Sequence, residues 1–264
     1  MPASERARSV RALIPTGFGI NCEAETAEAF RRSGAEAELV HLNDIAETRA
    51  LARAHILALA GGFSFGDHLG SGRVLANRWL RRLGDALGRF VDDGGLVLAI
   101  CNGFQTLVRL GLVPGGRLGE QTVSLAPNYP HAAYYDGWVT LLVDPASPCV
   151  FTRGLESLQM PARHGEGRLV CPAAALEGIH ADHLAPVRYA DPALQPTAAF
   201  PFNPNGSVDA IAGLCDRSGR LFGLMPHPEA FLYPENHPQW RRRAPSEPDG
   251  LAIFRNAVEA ARRG

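Results

Sequence analysis

The sequence feature that most constrains the fold is an apolar run that ends at a cysteine and continues into a helical pattern. Residues 96–100 are all apolar and predict a buried strand. Asn102 and Gly103 tolerate a sharp reversal of the chain, and residues 104–111 carry apolar side chains at helical spacing. A strand, Cys101, a tight turn and a helix in this order are typical of a nucleophile elbow with sulfur in place of oxygen.

The position of Cys101 has a chemical and a structural interpretation. At a helix N-terminus, unpaired backbone N–H groups and the helix dipole favour the thiolate, which is the nucleophilic form of cysteine. In the structural alternative, Cys101 is a small buried core residue, as many free cysteines are. A partner base elsewhere in the chain would favour the chemical interpretation.

A candidate base lies in a second apolar run, residues 221–229. Proline follows His227, and a residue before proline is pushed toward extended backbone. We therefore predict that His227 and Glu229, two positions apart, point to the same side of an extended segment. A carboxylate beside an imidazole can fix its tautomer and stabilise the imidazolium. The alternative is a proline-rich surface turn with two solvated polar residues.

Alternation of strand and helix patterns predicts the fold class. Short links join predicted strands at 9–15, 37–42, 55–60 and 96–100 to predicted helices at 23–34, 44–54, 76–92 and 104–111. This order is typical of an α/β fold with an open, mostly parallel, doubly wound sheet flanked by helices. Chemistry in such sheets collects at the carboxyl ends of the strands, where we expect Gly61, Gly62, Cys101 and His227.

The second half of the chain follows a different pattern. Residues 121–143 alternate in polarity and predict a small antiparallel β extension. Residues 144–209 are rich in proline, alanine and turn signals, so we expect an irregular edge of the same domain. Residues 251–263 predict a closing helix, and we assign residues 1–264 to one domain.

Composition excludes several classes of function. The 264 residues have a formal net charge of −1, which argues against a nucleic-acid or anionic-membrane partner. The chain contains arginine but no lysine, so a Schiff-base or P-loop lysine is absent and ATP chemistry would belong to another chain. The spacing of the five cysteines predicts neither a metal site nor a disulfide framework. With no signal-like N-terminus and no membrane-length apolar run, we expect a cytoplasmic protein.

The elbow at Cys101 and the Pro-His-Pro-Glu segment 226–229 together resemble the class I glutamine amidotransferases. That family releases ammonia from glutamine with a Cys-His-Glu triad on an open α/β sheet. The resemblance therefore implies Cys101 as nucleophile, His227 as base and Glu229 as the carboxylate that orients it. Four further segments are similar to the branch that supplies ammonia to an ATP-dependent synthase of purine biosynthesis: residues 21–23, 61–67, 164–168 and 203–207.

The same resemblance implies further site residues and partners. Backbone amides at Gly62 and Asn102 would form the oxyanion hole, and Gln105 and Asn128 would contact glutamine. The implied partner is an ATP-binding synthase subunit that carries ATP and Mg²⁺, with or without an additional small subunit, whereas this chain would hold no cofactor and no metal.

The chain is longer than the small-subunit form of the family, and we place the extra length near 231–249. We interpret this segment as an insertion at the active-site rim or the partner interface, with Trp240 and the run Arg241-Arg242-Arg243 as candidate contacts. The alternative for this segment is a solvated proline-rich loop with a cationic run.

Two other functions stay open at this point. The chain could be the glutaminase subunit of a different ammonia-consuming synthase, or a catalytically silent regulatory subunit with the same fold. Segments 61–67 and 203–207 count against the first, and the intact set of Cys101, His227 and Glu229 counts against the second.

Overall fold

A nine-stranded mixed sheet forms the centre of the computed structural model, which describes residues 9–242 and 247–264. Its strands in spatial order are β2 (Glu36–His41), β1 (Arg11–Thr16), β3 (Ile56–Leu59), β4 (Leu96–Ile100), β11 (Leu221–Leu224), β10 (Ile211–Cys215), β9 (Val187–Ala190), β6 (Tyr135–Val143) and β7 (Ser157–His164). A separate antiparallel pair consists of β5 (Ser124–Ala126) and β8 (Arg168–Val170). The helices are α1 (Glu23–Arg32), α2 (Ala50–Arg53), α3 (Arg73–Asp92), α4 (Asn102–Arg109), α5 (Ala173–Ala181) and α6 (Asp249–Arg263).

Five strands, β2-β1-β3-β4-β11, form the parallel part of the sheet. The crossover from β1 to β2 and the crossover from β3 to β4 run in opposite directions across the sheet. Because such connections are right-handed, α1 and α3 cover opposite faces. Strands β3 and β4 are buried along their whole length, which explains their continuous apolar sequence. The predicted doubly wound α/β fold is confirmed.

The antiparallel part of the sheet continues from β11 through β10, β9, β6 and β7. The predicted antiparallel extension is therefore confirmed, and it shares one sheet with the parallel part. Helix α6 returns along the parallel part, where Phe254 packs edge-on against Phe30 of α1 with ring centroids 5.0 Å apart. Both rings are fully buried, so the end of the chain is anchored in the core near its beginning.

Two predictions about local structure were wrong. Residues 44–54 were expected to form a helix, but only Ala50–Arg53 do, because Arg49 has left-handed backbone that breaks the helix. Residues 144–209 were expected to be irregular, but they contain β7, β8, α5 and β9. Pro161 concealed β7, since proline inside a strand pattern argues against a central strand. The fold tolerates it because β7 is the edge strand of the sheet.

The segment proposed as an insertion packs against β6 over part of its length. Trp138 of β6 contacts the rings of Phe231 and His237, with centroids 5.0 and 4.6 Å apart. Trp240 is 43% exposed, and Arg241 lies over its ring. Arg243 and the N-terminal residues 1–8 lie outside the described residues. Among the described helices, none is long and apolar enough to cross a membrane.

Candidate active site

Cys101 sits at the junction of β4 and α4 with strained backbone. Its φ of 49° and ψ of −106° are unusual for a residue with a side chain, and such geometry is concentrated at functional sites. The turn is tight because α4 begins against the end of β3: a Cβ on Gly103 would lie 1.9 Å from the carbonyl oxygen of Leu59. Only glycine allows this approach, which explains the Asn-Gly pair that follows the cysteine.

His227 and Glu229 form a buried pair after β11, which we call the dyad. Nδ1 of His227 donates a hydrogen bond to Oε1 of Glu229 over 2.6 Å. The prediction of extended backbone through this segment was wrong, because Pro228–Ala230 form a 3-10 turn. That turn, rather than strand alternation, brings the carboxylate to the imidazole.

The dyad leaves one atom of each side chain without a partner. Among the described residues, neither Nε2 of His227 nor Oε2 of Glu229 has a hydrogen-bond partner, although both atoms are buried. Burial alone would lower the pKa of His227, but the Glu229 carboxylate and the Cys101 sulfur hold this pKa well above 6.5. The imidazole therefore holds a proton readily, and its ring lies on a cavity that Cys101 and Cys22 also line.

Cys101 and His227 face a common cavity of about 260 Å³ at the carboxyl ends of β1, β3, β4 and β11. This is the edge of the sheet at which ligands bind in open α/β folds. Of the other residues predicted for the site, Gly62 and Gln105 also line the cavity. The structure thus brings together segments that are more than 120 residues apart in the sequence.

Two backbone amides were predicted for an oxyanion hole, those of Asn102 and Gly62. Asn102 is the first residue of α4, and the first N–H groups of a helix have no partner within it. Gly62 lies opposite Ile20 in an antiparallel bridge. Neighbouring residues make the two hydrogen bonds of this bridge: the N–H of Phe63 donates to the carbonyl of Gly19, and the N–H of Asn21 donates to the carbonyl of Gly61. The N–H of Gly62 itself consequently lies outside this bridge, and its φ of 147° favours glycine.

The side chain of Asn102 ties the elbow to the neighbouring loop. Its Oδ1 accepts from the N–H of Ser64, and its Nδ2 donates to Asp67 and to Oε1 of Gln105. Gln105 in turn donates to the carbonyl oxygen of Glu166. Segments 61–67 and 164–168 are therefore both connected to the turn that carries Cys101.

Asn128 is buried and does not line the cavity. Its Nδ2 donates to the carbonyls of His164 and Ala133, and its Oδ1 accepts from Gly167 N–H and His164 Nδ1. Burial and the nearby charge of His227 lower the pKa of His164 to about 3, so this imidazole is neutral. The side chain of Asn128 therefore supports the loop that lines the cavity, and its predicted contact with glutamine stays a prediction.

The loop 203–207 supports the same segment from its other side. Asn205 donates to the carbonyl of Gly167 and to the hydroxyl of Tyr189, and Ser207 accepts from Leu169 N–H through its hydroxyl. Together with Asn128 these residues form what we call the support cluster: Asn128, His164, Asn205 and Ser207.

Several cavity residues were not assigned a role from the sequence. Cys22, Asp67, Arg163 and Glu166 line the cavity with the predicted residues, as does the half-exposed Tyr134. Cys22, Asp67 and Glu166 lie in segments that the resemblance had singled out. Arg163 and Tyr134 had no local signal, because only strand pairing in the antiparallel part carries them to this edge.

The chain is similar to known glutamine amidotransferases. The family model described as a CobB/CobQ-like glutamine amidotransferase domain matches residues 9–259. The phosphoribosylformylglycinamidine synthase subunit PurQ of Dehalococcoides mccartyi is 42% identical over 255 residues, which cover 96% of this chain and 98% of the relative. The PurQ subunit of Methanococcus maripaludis is 40% identical over 264 aligned positions, which cover 94% and 96% of the two chains.

A solved structure matches over a similar extent. A chain of the structure of PurLQS from Thermotoga maritima superimposes with a TM-score of 0.71 at 27% identity, covering 96% of this chain and 99% of that chain. The range matched by the family model, residues 9–259, includes all the residues that line the cavity. The chain therefore belongs to the CobB/CobQ-like glutamine amidotransferases and, among them, to the PurQ family of phosphoribosylformylglycinamidine synthase subunits.

Proposed function

We propose that the chain is the glutaminase subunit of a phosphoribosylformylglycinamidine synthase and hydrolyses glutamine to supply ammonia. The observation that carries the proposal is the unpaired, buried Nε2 of His227, on the same cavity as Cys101 and with Nδ1 held by Glu229. A nucleophile, a base and a carboxylate that orients the base are the parts needed for acyl transfer.

In the proposed first step, the sulfur of Cys101 attacks the side-chain amide carbon of glutamine. His227 takes the thiol proton at Nε2, or already pairs as the imidazolium with the thiolate, and then gives this proton to the leaving nitrogen, so that ammonia departs and a γ-glutamyl thioester forms. In the second step, His227 takes a proton from water as the water attacks the thioester. Glutamate leaves, and the proton returns to the sulfur of Cys101.

The oxygen of the amide becomes negatively charged in both steps. The N–H groups of Gly62 and Asn102 are our proposed donors, because the first lies outside its bridge and the second is at the start of α4. Gln105, one helical turn after Cys101, is our proposed contact to the rest of the glutamine. The strained backbone of Cys101 keeps its sulfur at the cavity wall, so the geometry is set before the substrate binds.

The proposed consumer of the ammonia is an ATP-binding synthase subunit, which would carry ATP and Mg²⁺. Phe63 and Tyr134 line the cavity, and their ring centroids are 6.4 Å apart. These residues are 49% and 53% exposed, which supports a partner surface that covers this side of the cavity. Exposed aromatic side chains of this kind are enriched in protein interfaces. Trp240 stays a second candidate contact, and we propose that the complex works in the cytoplasm.

The experiment that tests the function compares glutamine with ammonium chloride as the nitrogen source. The full chain is combined with the ATP-binding synthase subunit, and formation of the amidine product is measured. We expect Cys101→Ala to abolish the glutamine-driven reaction and to retain the ammonia-driven one, because the synthase is intact. Cys171→Ala is the matched control, since that thiol lies outside the cavity and both reactions should continue.

Glutamine-driven synthesis by Cys101→Ala at the rate of the unmodified chain would contradict the proposal. Dependence on the partner is tested in the same assay by omitting the synthase. We expect slow glutamine hydrolysis by the isolated chain and faster hydrolysis when the synthase and its nucleotide are added. Full turnover by the isolated chain, unchanged on adding the synthase, would contradict a coupled function.

A further inference from the structure

A second thiol lies beside the dyad and has no part in the proposed reaction. Cys22 follows β1 and directly precedes α1. Its Sγ and the ring of His227 both lie against Gly61: a Cβ built on Gly61 would be 3.3 Å from Sγ of Cys22 and 3.0 Å from Cε1 of His227. Ligand atoms of Cys22, His227 and Glu229 all lie within 4.8 Å of one another. Cys101 lines the same cavity.

These side chains match the ligands that zinc prefers. Zinc binds cysteine sulfur and histidine nitrogen, and a metal-bound histidine is usually held by a carboxylate on its other ring nitrogen. Glu229 already occupies Nδ1 of His227, so the buried and unpaired Nε2 is the ring atom open to a metal.

The movement that such a site requires is small. Zn–S and Zn–N bonds place two ligand atoms about 3.6 Å apart in a tetrahedral site. Ligand atoms of Cys22 and His227 lie within 4.8 Å of each other, so bringing this pair to that spacing takes about 1 Å of side-chain movement, which rotation of the Cys22 side chain can supply. The spacing of residues 22, 101 and 227 along the sequence gave no sign of the cluster, since it arises only where β1, β4 and β11 end together.

We propose that Cys22, Cys101 and His227 form an inhibitory binding site for Zn²⁺, with water as the fourth ligand. Binding displaces into solvent the protons of both thiols and, where His227 is protonated, the proton of its Nε2, and it leaves the oxidation state of every atom unchanged. Because the ion occupies the sulfur of Cys101 and Nε2 of His227, it blocks glutamine hydrolysis; this inhibitory consequence rests on the proposed function, whereas the binding does not.

Direct binding is measured on the full chain with Co²⁺ as a spectroscopic substitute and with competition by Zn²⁺. We expect a thiolate-to-metal charge-transfer band that loses about half of its intensity in Cys22→Ser, because one of two sulfur ligands is removed. Zn²⁺ affinity should fall by at least about 10-fold. The control Cys171→Ser should bind like the unmodified chain. Unchanged Zn²⁺ affinity in Cys22→Ser would overturn the proposal.

A second measurement needs no variant of the site. The unmodified chain is alkylated with iodoacetamide with and without Zn²⁺, and each cysteine is followed by peptide mass spectrometry. We expect Zn²⁺ to protect Cys22 and Cys101 but not Cys171. Protection of Cys101 without Cys22 would overturn the site.

The two proposals fail separately. A chain that binds Zn²⁺ through Cys22 but does not hydrolyse glutamine, alone or with the synthase, would refute the proposed function and support the metal site. A chain that hydrolyses glutamine and keeps its activity in saturating Zn²⁺ would refute the metal site alone.

Discussion

The dyad and the support cluster are both buried and polar, yet they differ in how many of their side-chain polar atoms have hydrogen-bond partners. In the support cluster, the amide of Asn128 makes four hydrogen bonds and that of Asn205 makes three. In the dyad, Nε2 of His227 and Oε2 of Glu229 have no partner among the described residues. An unpaired buried polar atom costs stability. Nε2 of His164 in the support cluster is likewise unpaired among the described residues, so the contrast lies in the asparagine amides. We infer that these amides maintain the shape of the cavity, whereas the dyad keeps its unpaired atoms beside the nucleophile for chemistry.

The largest expected effect comes from removing parts of the dyad. His227→Ala removes both proton transfers, so we expect glutamine hydrolysis to fall by about 10⁵-fold or more, as for removal of the base in a triad. Glu229→Gln keeps the imidazole but not its orientation, and a fall of about 10⁴-fold is expected. Steady-state hydrolysis rates check both values.

The double variant sharpens this prediction. Because the two residues act as a unit, the combined change should be little worse than His227→Ala alone. Near-normal turnover by Glu229→Gln would show that the carboxylate does not orient the base, and multiplicative effects would show that the two side chains act independently.

The pKa of His227 provides a smaller but more specific test. Removing the charge of Glu229 leaves burial as the main influence, so the pKa of His227 should fall in Glu229→Gln. NMR titration of the imidazole measures this shift directly. If the pKa of His227 stayed equally raised in Glu229→Gln, a group other than Glu229 would be responsible for it.

The same pair makes stability depend on pH. The folded-state pKa of His227 is raised above 6.5, so the charged pair stabilises the fold fully below pH 6.5 and loses this effect as pH rises through the folded-state value. The free energy of unfolding of the unmodified chain, relative to Glu229→Gln, should therefore decline across that range. If the difference in unfolding free energy between the two chains were the same below and above the folded-state pKa of His227, the charged pair would not be its cause.

The smallest effect on chemistry is expected in the support cluster. Asn128→Ala leaves the N–H of Gly167 and the carbonyl of His164 without their partner. The free energy of unfolding should fall by about 1–3 kcal/mol per buried group that stays unpaired. Hydrolysis should fall less than it does for Glu229→Gln, and mainly through KM, because the cavity wall shifts while the dyad stays.

Chemical denaturation measures the free energy of unfolding, and steady-state kinetics measures turnover and KM. The variant Asn128→Asp tests the loss of the Nδ2 donor alone, since its carboxylate can still accept from the N–H of Gly167. A loss of turnover by Asn128→Ala equal to that of His227→Ala, with stability unchanged, would erase the distinction between the two clusters.

The parts of the site that the sequence could predict are those encoded locally. Cys101 was predicted because strand, turn and helix signals follow one another around it. The pairing of His227 with Glu229 was inferred from an extended backbone that the structure does not have; the two residues meet because prolines fold the segment into a 3-10 turn. The strand containing Pro161 was missed because its tolerance of proline depends on its place at the sheet edge.

The neighbours of these residues could not be predicted from local patterns. Cys22 reaches His227 only because β1 and β11 end at the same edge of the sheet. Asn128 was assigned to glutamine by resemblance, whereas three of its four hydrogen bonds go to His164 and Gly167, far along the chain. Tertiary packing rather than propensity decides both placements.

The central claim is that Cys101 is the nucleophile, and covalent labelling tests it most directly. The unmodified chain is treated with an electrophilic diazoketone analogue of glutamine, and the modified peptide is identified by mass spectrometry. We predict one added analogue on Cys101, prevented by excess glutamine, much slower in His227→Ala and unaffected in Cys171→Ala. Glutamine-protected labelling of Cys22 in place of Cys101, or labelling that glutamine does not prevent, would contradict the claim.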